Sequence, residues 1–316
     1  MNKTPSELWS DFMTFSKVYV EIGDADPMYP VIKRVCDHFD MDTEQRVEFC
    51  FWYMAWYNLR SAIQAYLDDG KSCENIGPDQ AKFTIKLERR GLRGGTNIRK
   101  HWDSQCEQVR KAGGWLRWVE QGGWQTKQDS AMVMDYQQWN WLCASRTIQQ
   151  VWNNGRWAAY KGCELLEKVC GLPLRAPDMG HADSSNPRKA LNLLFSGMPA
   201  QDDNSKSAIK TLDDASLDLM QQAEGVYGVE LGGDLALLET CCCGFYSLHR
   251  GDYYLGCDID LMLEVAMEQD DKVRSIILGA REGIFPDEYL GEKHGWSIHD
   301  KPRLRVYRDT GDIVVR

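Results

Sequence analysis

The stretch "NNGRWAAYKGCELLEKVCGLP", residues 153–173, constrains the fold more than any other. It opens at a glycine and carries apolar or small residues at helical spacing through Ala158, Gly162, Leu165, Leu166 and Val169. It stops at Gly171 with Pro173 just beyond. Start, stripe and stop together define one amphipathic helix. Comparable signals recur along the chain. Residues 43–67, "TEQRVEFCFWYMAWYNLRSAIQAYL", read as one long helix opening at Thr43, and residues 89–102 as a glycine-broken basic loop entering a helix. A helix capped by Asp129 or Ser130 is expected over 129–152, with others at 204–224, 234–248 and 258–270. No β-α alternation suggests a parallel sheet. The tail "RLRVYRDTGDIVVR" places β-branched runs on either side of Asp-Thr-Gly-Asp, which reads as a hairpin. The expected class is mainly α with this minor β element. The expected regions are a helical one at 1–128, a helical core at 129–300 and the hairpin tail at 301–316, or one continuous domain in their place.

Charge and cysteine narrow the chemistry. Over the 316 residues the formal net charge is −10, yet Lys82 to Lys111 holds nine Lys/Arg against three acids. A +6 island on a remainder of −16 suits a focused contact with a polyanion, or a solvated face. Eleven cysteines include no Cys-x-x-Cys pair, so the usual zinc, iron–sulfur and thioredoxin-like patterns lack support. Free thiols fit a reducing cytoplasm. No apolar run is long enough for a bilayer and "MNKTPSELWSDF" lacks a secretory pattern, so the expectation is a cytoplasmic chain without a membrane partner.

Two segments offer chemistry. Arg156, Tyr160 and Glu164 recur every fourth residue, forming one ridge that either lines a cleft or is an ordinary surface stripe. In "GHADSSNPRKALNLL", residues 180–194, Pro187 suits the first helical position and makes Asn186 the expected cap, with Ser184, Ser185, Arg188 and Lys189 around it. Two cations in a first turn oppose the helix dipole, and a bound phosphate reverses that penalty. The segment is not a Walker motif. Asp213, Asp214 and Asp218, like Asp258 and Asp260, read as solvated or capping acids, and no metal site is expected.

The blocks "NNGRWAAYKGCELLEKVCGL", "PDMGHADSSNPRKALNLLF" and "ETCCCGFYSLHRGDYYLGCDID" together resemble the α-glutamyl/putrescinyl-thymine pyrophosphorylase family of bacteriophage DNA-modifying proteins. These are amino-acid:DNA transferases related to the helical DNA glycosylases. The resemblance covers residues 45–265 and is strongest from 153 to 260. It implies a helical glycosylase-like core in a phage-encoded protein of the host cytoplasm. The implied substrate is double-stranded DNA whose 5-hydroxymethyluracil is activated as a pyrophosphate ester. An amine of glycine, glutamate or a polyamine displaces pyrophosphate at the exocyclic carbon.

The implied proton acceptors are Glu164, Asp183 and Glu239, and the implied pyrophosphate ligands are Arg156, Lys161, Ser184, Ser185, Arg188 and Lys189. Tyr160 would orient the base. Arg89, Arg90, Arg93, Arg99, Lys100, Trp115 and Trp118 would hold DNA around a flipped nucleotide. The resemblance implies no definite cofactor, and Mg²⁺ stays open as a counter-ion for pyrophosphate. Two departures stand out: Cys241-Cys242-Cys243 where one cysteine is expected, and no helix-hairpin-helix Gly-x-Gly. Two other readings fit the same features, a helical glycosylase or lyase that excises a modified base, and a non-enzymatic DNA-binding phage protein.

Overall fold

The protein was analysed as a computed structural model, which describes residues 3–23, 28–57, 59–67, 95–127, 135–182, 184–260, 266, 271–284 and 301–313. The helices in chain order are α1 (Pro5–Ile22), α2 (Tyr29–His38), α3 (Thr43–Trp56), α4 (Leu59–Leu67), α5 (Gly95–Ala112), α6 (Trp115–Val119) and α7 (Tyr136–Ile148). They continue with α8 (Arg156–Lys168), α9 (Ser185–Leu194), α10 (Lys206–Gly225), α11 (Leu235–Arg250), α12 (Asp271–Glu282) and α13 (Lys301–Thr310). The mainly α class is as expected, and no strand occurs among the described residues. No helix among them is long and apolar enough to cross a membrane.

Sequence-coded caps set many of the helix starts. Thr4 and Glu7 make a reciprocal capping box at α1 behind Pro5, and Asp42 and Gln45 make another at α3. Asp135, Ser205 and Asp234 each accept main-chain N–H groups at the starts of α7, α10 and α11. The short α6 is capped from afar. Glu44 accepts Trp115 N–H at 2.5 Å and Leu116 N–H at 2.8 Å. Gly114, at φ +145°, lets that carboxylate come close, because a Cβ there would stand 2.8 Å from Glu44 Oε1.

Three expectations need correction. The 43–67 helix is two helices, since Tyr57 takes a left-handed φ of 48°. Its ring lies 5.3 Å from Tyr53 and 5.5 Å from Trp157, so aromatic packing sustains a bend that propensity disfavours. The α7 cap is Asp135; residues 129 and 130 lie outside the described residues. The tail expected as a hairpin is the helix α13. Gly311, read as a turn glycine, ends that helix at φ +87°, its N–H donating to Tyr307 O at 2.9 Å. A positive φ serves a hairpin and a helix C-terminus alike, and the buried Tyr307 settles the outcome by anchoring the helix: its hydroxyl donates to Asp11 at 2.7 Å.

The chain divides into two compact units. One comprises Met1–Met28, Ala176–Glu264 and Arg281–Arg316; the other comprises Tyr29–Arg175 and Val265–Ala280. The expected boundary at 128/129 falls inside the second. In the first unit, α11 packs against α1, α9, α10 and α13, around Phe12, Phe15 and Phe245. In the second, α3 packs against α4, α5, α6 and α8. Its core includes Phe51 with Trp115 and Trp118, and Gly162 lets α8 approach Ile148 and Met54 closely.

Candidate functional site

In the second unit the expected ridge does not lie on one exposed face. Arg156, the first residue of α8, is exposed, Tyr160 is half-buried, and Glu164 is buried. Tyr160 meets Trp141 edge-on at 5.1 Å. Glu164 Oε2 lies 2.8 Å from Lys161 Nζ, with side-chain exposures of 1% and 6%. A buried ion pair loses the hydration of both ions, so its net stabilisation is small or negative. Lys161 Nζ also sits 5.8 Å from the Tyr160 ring. A cation, a carboxylate and a phenol are thus gathered within two turns of one helix.

The first unit holds the serine-rich segment. Helix α9 starts at Ser185 with Ser184 as its N-cap, one turn's fraction earlier than the Asn186 cap expected. Pro187 therefore stands third, where its missing N–H still costs no intrahelical bond. The Ser184 hydroxyl makes no cap hydrogen bond; it donates instead to Glu239 Oε1 at 3.2 Å. Asn186 Nδ2 approaches Cys243 Sγ at 3.6 Å, and Lys189 Nζ stands 5.5 Å from the Tyr246 ring, with Arg250 Cζ 5.8 Å from the same ring. Glu239, Cys243, Tyr246 and Arg250 recur at helical spacing, so they form one stripe of α11 that faces the first turn and a half of α9. Glu239 is buried. Cys241 and Cys242 point elsewhere, into the core, where burial pushes the Cys241 thiol up to about 12 and Cys242 well above the usual range. Such thiols are poor nucleophiles.

Arg188 departs from its expected role. It is buried, and its guanidinium is already committed. Nε donates to His181 O at 2.6 Å, one terminal nitrogen to Gln201 O and Asp203 O at 2.9 and 3.1 Å, and the other to Asn204 Oδ1 at 2.7 Å. Four of its five donors hold protein oxygens, so the cation that looked misplaced at a helix start is a clamp on two loops. Beside it His181 is buried, with Nε2 2.8 Å from Ser216 Oγ. Ser216 gives its one proton to Leu212 O at 2.8 Å, so His181 Nε2 is the donor and Nδ1 carries the lone pair, which meets no donor among the described residues. Burial, reinforced by the Arg188 charge, lowers His181 to about 4.

The DNA-contact expectations divide in the same way. Trp115 and Trp118 are core residues of the second unit and cannot stack on bases. Arg89, Arg90 and Arg93 lie outside the described residues, as do Asp183 and the Arg99 side chain. Lys100 is exposed, and its ammonium lies 5.8 Å from the ring of Trp152, which is 42% exposed. Trp152 escaped notice in the sequence because nothing in its spacing separates it from the core tryptophans. Both of its backbone polar groups are held by α5: its N–H donates to Ser104 Oγ at 2.9 Å and its carbonyl accepts from His101 Nδ1 at 3.0 Å. An exposed indole on so firmly held a turn is presented rather than left over.

Residues 21–254 match the family described as amino acid:DNA transferase. The chain belongs to that family. The match takes in α8, α9, α11 and Trp152, and the amino acid:DNA transferase assignment makes an amino acid and DNA the substrate classes. The comparison with curated proteins gave no match.

For this transferase, Arg188→Ala leaves buried carbonyls without donors and is expected to cost roughly 3 kcal/mol or more of stability, read from urea unfolding. His181 sets a second expectation. Between its unfolded value near 6.5 and its folded value of about 4, the unfolded state binds a proton that the folded state refuses. Stability therefore falls by up to about 3 kcal/mol as pH drops through that window, and His181→Gln flattens the fall.

Proposed function

We propose that this transferase joins an amine to a thymine-type base by displacing pyrophosphate from 5-(pyrophosphoryloxymethyl)uracil in double-stranded DNA. The amine nitrogen bonds to the exocyclic carbon. The carbon–oxygen bond to pyrophosphate breaks with its electron pair leaving on oxygen, and the amine's surplus proton passes to a carboxylate. The observation that carries this reading is the buried Lys161–Glu164 pair, a desolvated cation and base on the helix that the exposed Arg156 opens. The chemistry asks for both: positive charge for the leaving group and a proton acceptor for the amine.

The first unit offers a candidate of its own, with Glu239 as acceptor and Ser184, Ser185 and Lys189 at the start of α9 as anion ligands, and Asp183 beside them in sequence. Arg188 acts as a positioning residue that fixes the loops behind that helix. Tyr160 orients the base. Trp152 and Lys100 take over the DNA contact from Trp115 and Trp118, since stacking on an indole and attraction to phosphate are what a flipped or single-stranded nucleotide needs.

Activated DNA is incubated with amino acids and polyamines, pyrophosphate is assayed, and the nucleosides are weighed by mass spectrometry. The expected result is pyrophosphate release matched by a nucleoside that has gained the amine. Glu164→Gln and Glu239→Gln are compared as folded proteins, and the one that carries the base loses about 10²–10⁴-fold in kcat. An abasic site or nick in place of the new nucleoside would favour a glycosylase. No release with any amine on confirmed substrate sinks the proposal.

Trp152→Ala is expected to weaken duplex binding about tenfold, with an unchanged salt dependence because no charge is removed. Fluorescence anisotropy at two salt concentrations reads both quantities.

A further inference from the structure

The α11 stripe ends at Arg250, and there the first unit opens a cavity of about 350 Å³ lined by Lys3, His249, Arg250, Tyr307 and Arg308. Four of the five are basic types; two of them are ion-paired just behind the lining, Lys3 with Asp11 and Arg250 with Asp252. His249 and Arg250 belong at a helix C-terminus, where the dipole favours cations. Arg308, in the last turn of α13, has the same reason; Lys3 has none, for it arrives from the segment before α1.

Both are held in place. The Lys3 ammonium pairs with Asp11 and lies 4.6 Å from the Tyr307 ring, whose hydroxyl bonds to the same carboxylate. Arg308 lies over Gly251, where a Cβ would stand 2.9 Å from its Cδ, and one terminal nitrogen donates to Arg250 O at 3.2 Å. Its other donors have no protein acceptor among the described residues. His249 turns its ring toward Tyr307 at 6.3 Å, and its Nδ1 is enclosed with no hydrogen-bond partner among the described residues. The groups around it are Lys3, Arg308, Asp11 and Tyr307. Burial and the Arg308 and Lys3 charges lower its pKa, and the Asp11 carboxylate, already shared by Lys3 and Tyr307, only partly opposes them.

We propose that this cavity is an anion site that takes a phosphate group, separate from the Ser184–Glu239 end of α11. Ten residues of helix part the two, about 15 Å along the axis. Three of the lining residues, Lys3, Tyr307 and Arg308, lie outside the 21–254 stretch matched by the family, so the site rests on segments that the match does not cover. The phosphate comes either from the DNA backbone or from free pyrophosphate, and the two are separable by experiment.

Pyrophosphate is titrated into the full-length protein while NMR follows the His249 ring, and an unmodified duplex is titrated by anisotropy at two salt concentrations. Free pyrophosphate in the cavity raises the His249 pKa by about one unit, an effect lost in Arg308→Gln and kept in Arg308→Lys. A backbone phosphate instead makes Arg308→Gln lower duplex affinity about 3–10-fold and reduce the salt slope by about one, with Arg308→Lys near wild type. Either result supports the site. If neither probe distinguishes Arg308→Gln from wild type, the proposal is overturned. Lys3→Gln repeats both arms should Arg308→Gln unfold. Neither arm requires turnover, so failure of the transfer reaction leaves this test standing.

Discussion

The buried guanidinium of Arg188 is the constraint on which the first unit's site depends. A charge at 2% exposure is tolerated only when its donors are met, and here main-chain carbonyls from two loops meet them along with one amide side chain. His181, whose carbonyl accepts from Arg188, sits in the turn before α9, so the same side chain that belongs to the helix also fixes how the chain enters it. Ser184 is thereby placed to face Glu239 rather than to cap its own helix. The cost of a missing cap, about 1 kcal/mol, is small beside leaving an arginine unpaired in the interior.

Helix α11 shows how a mostly buried helix carries polar chemistry without unravelling its core. Its apolar positions, among them Leu238, Cys241, Cys242, Phe245 and Leu248, are buried. The stripe Glu239, Cys243, Tyr246 and Arg250 occupies the remaining angle. Its first three members are met by groups of matching kind from the start of α9, hydroxyl to carboxylate, amide to thiol and ammonium to aromatic face, while Arg250 lies over the Tyr246 ring and pairs with Asp252. Gly244, beside the stripe, keeps the helix close to α1, since a Cβ there would come within 3.0 Å of Phe15. Precision at the polar face follows from close packing at the apolar one.

Much of this was legible in the sequence, and what was not has identifiable causes. Helix α8 could be bounded because its glycine and proline punctuation acts locally, and so could α10 and α11, whose Ser205 and Asp234 caps act within three residues. Tyr57 could not be foreseen, because its left-handed backbone is sustained by Trp157, a hundred residues away. The tail was ambiguous by nature, as a glycine after a β-branched run suits either structure. Among the site residues, Glu239, Ser184 and Lys189 were drawn from separate blocks, and the structure brings them to one seam of two helices. The tryptophans were misjudged because composition cannot tell an indole in a core from one on a held turn; that difference lies in what Ser104 and His101 do to the backbone of Trp152.

The division between structural and functional charge follows from how completely each group is satisfied by the protein. Glu44 uses both oxygens on the N–H groups of α6, and Arg188 uses four donors on loop oxygens, so neither has capacity for a substrate. Lys189 is different: its recorded contact is an aromatic face, which attracts an ammonium without consuming its hydrogen-bond donors. The same holds for Lys100 against Trp152. An aromatic ring can therefore hold a cation in position while leaving its three protons directed at an incoming phosphate. A carboxylate in that place would fix the cation equally well and compete with the phosphate for it. The cation–π pairs of Lys189 and Lys100 thus leave donors open, whereas Lys161, held against both the Tyr160 ring and Glu164, keeps its charge beside the carboxylate that the proposed transfer asks to take a proton.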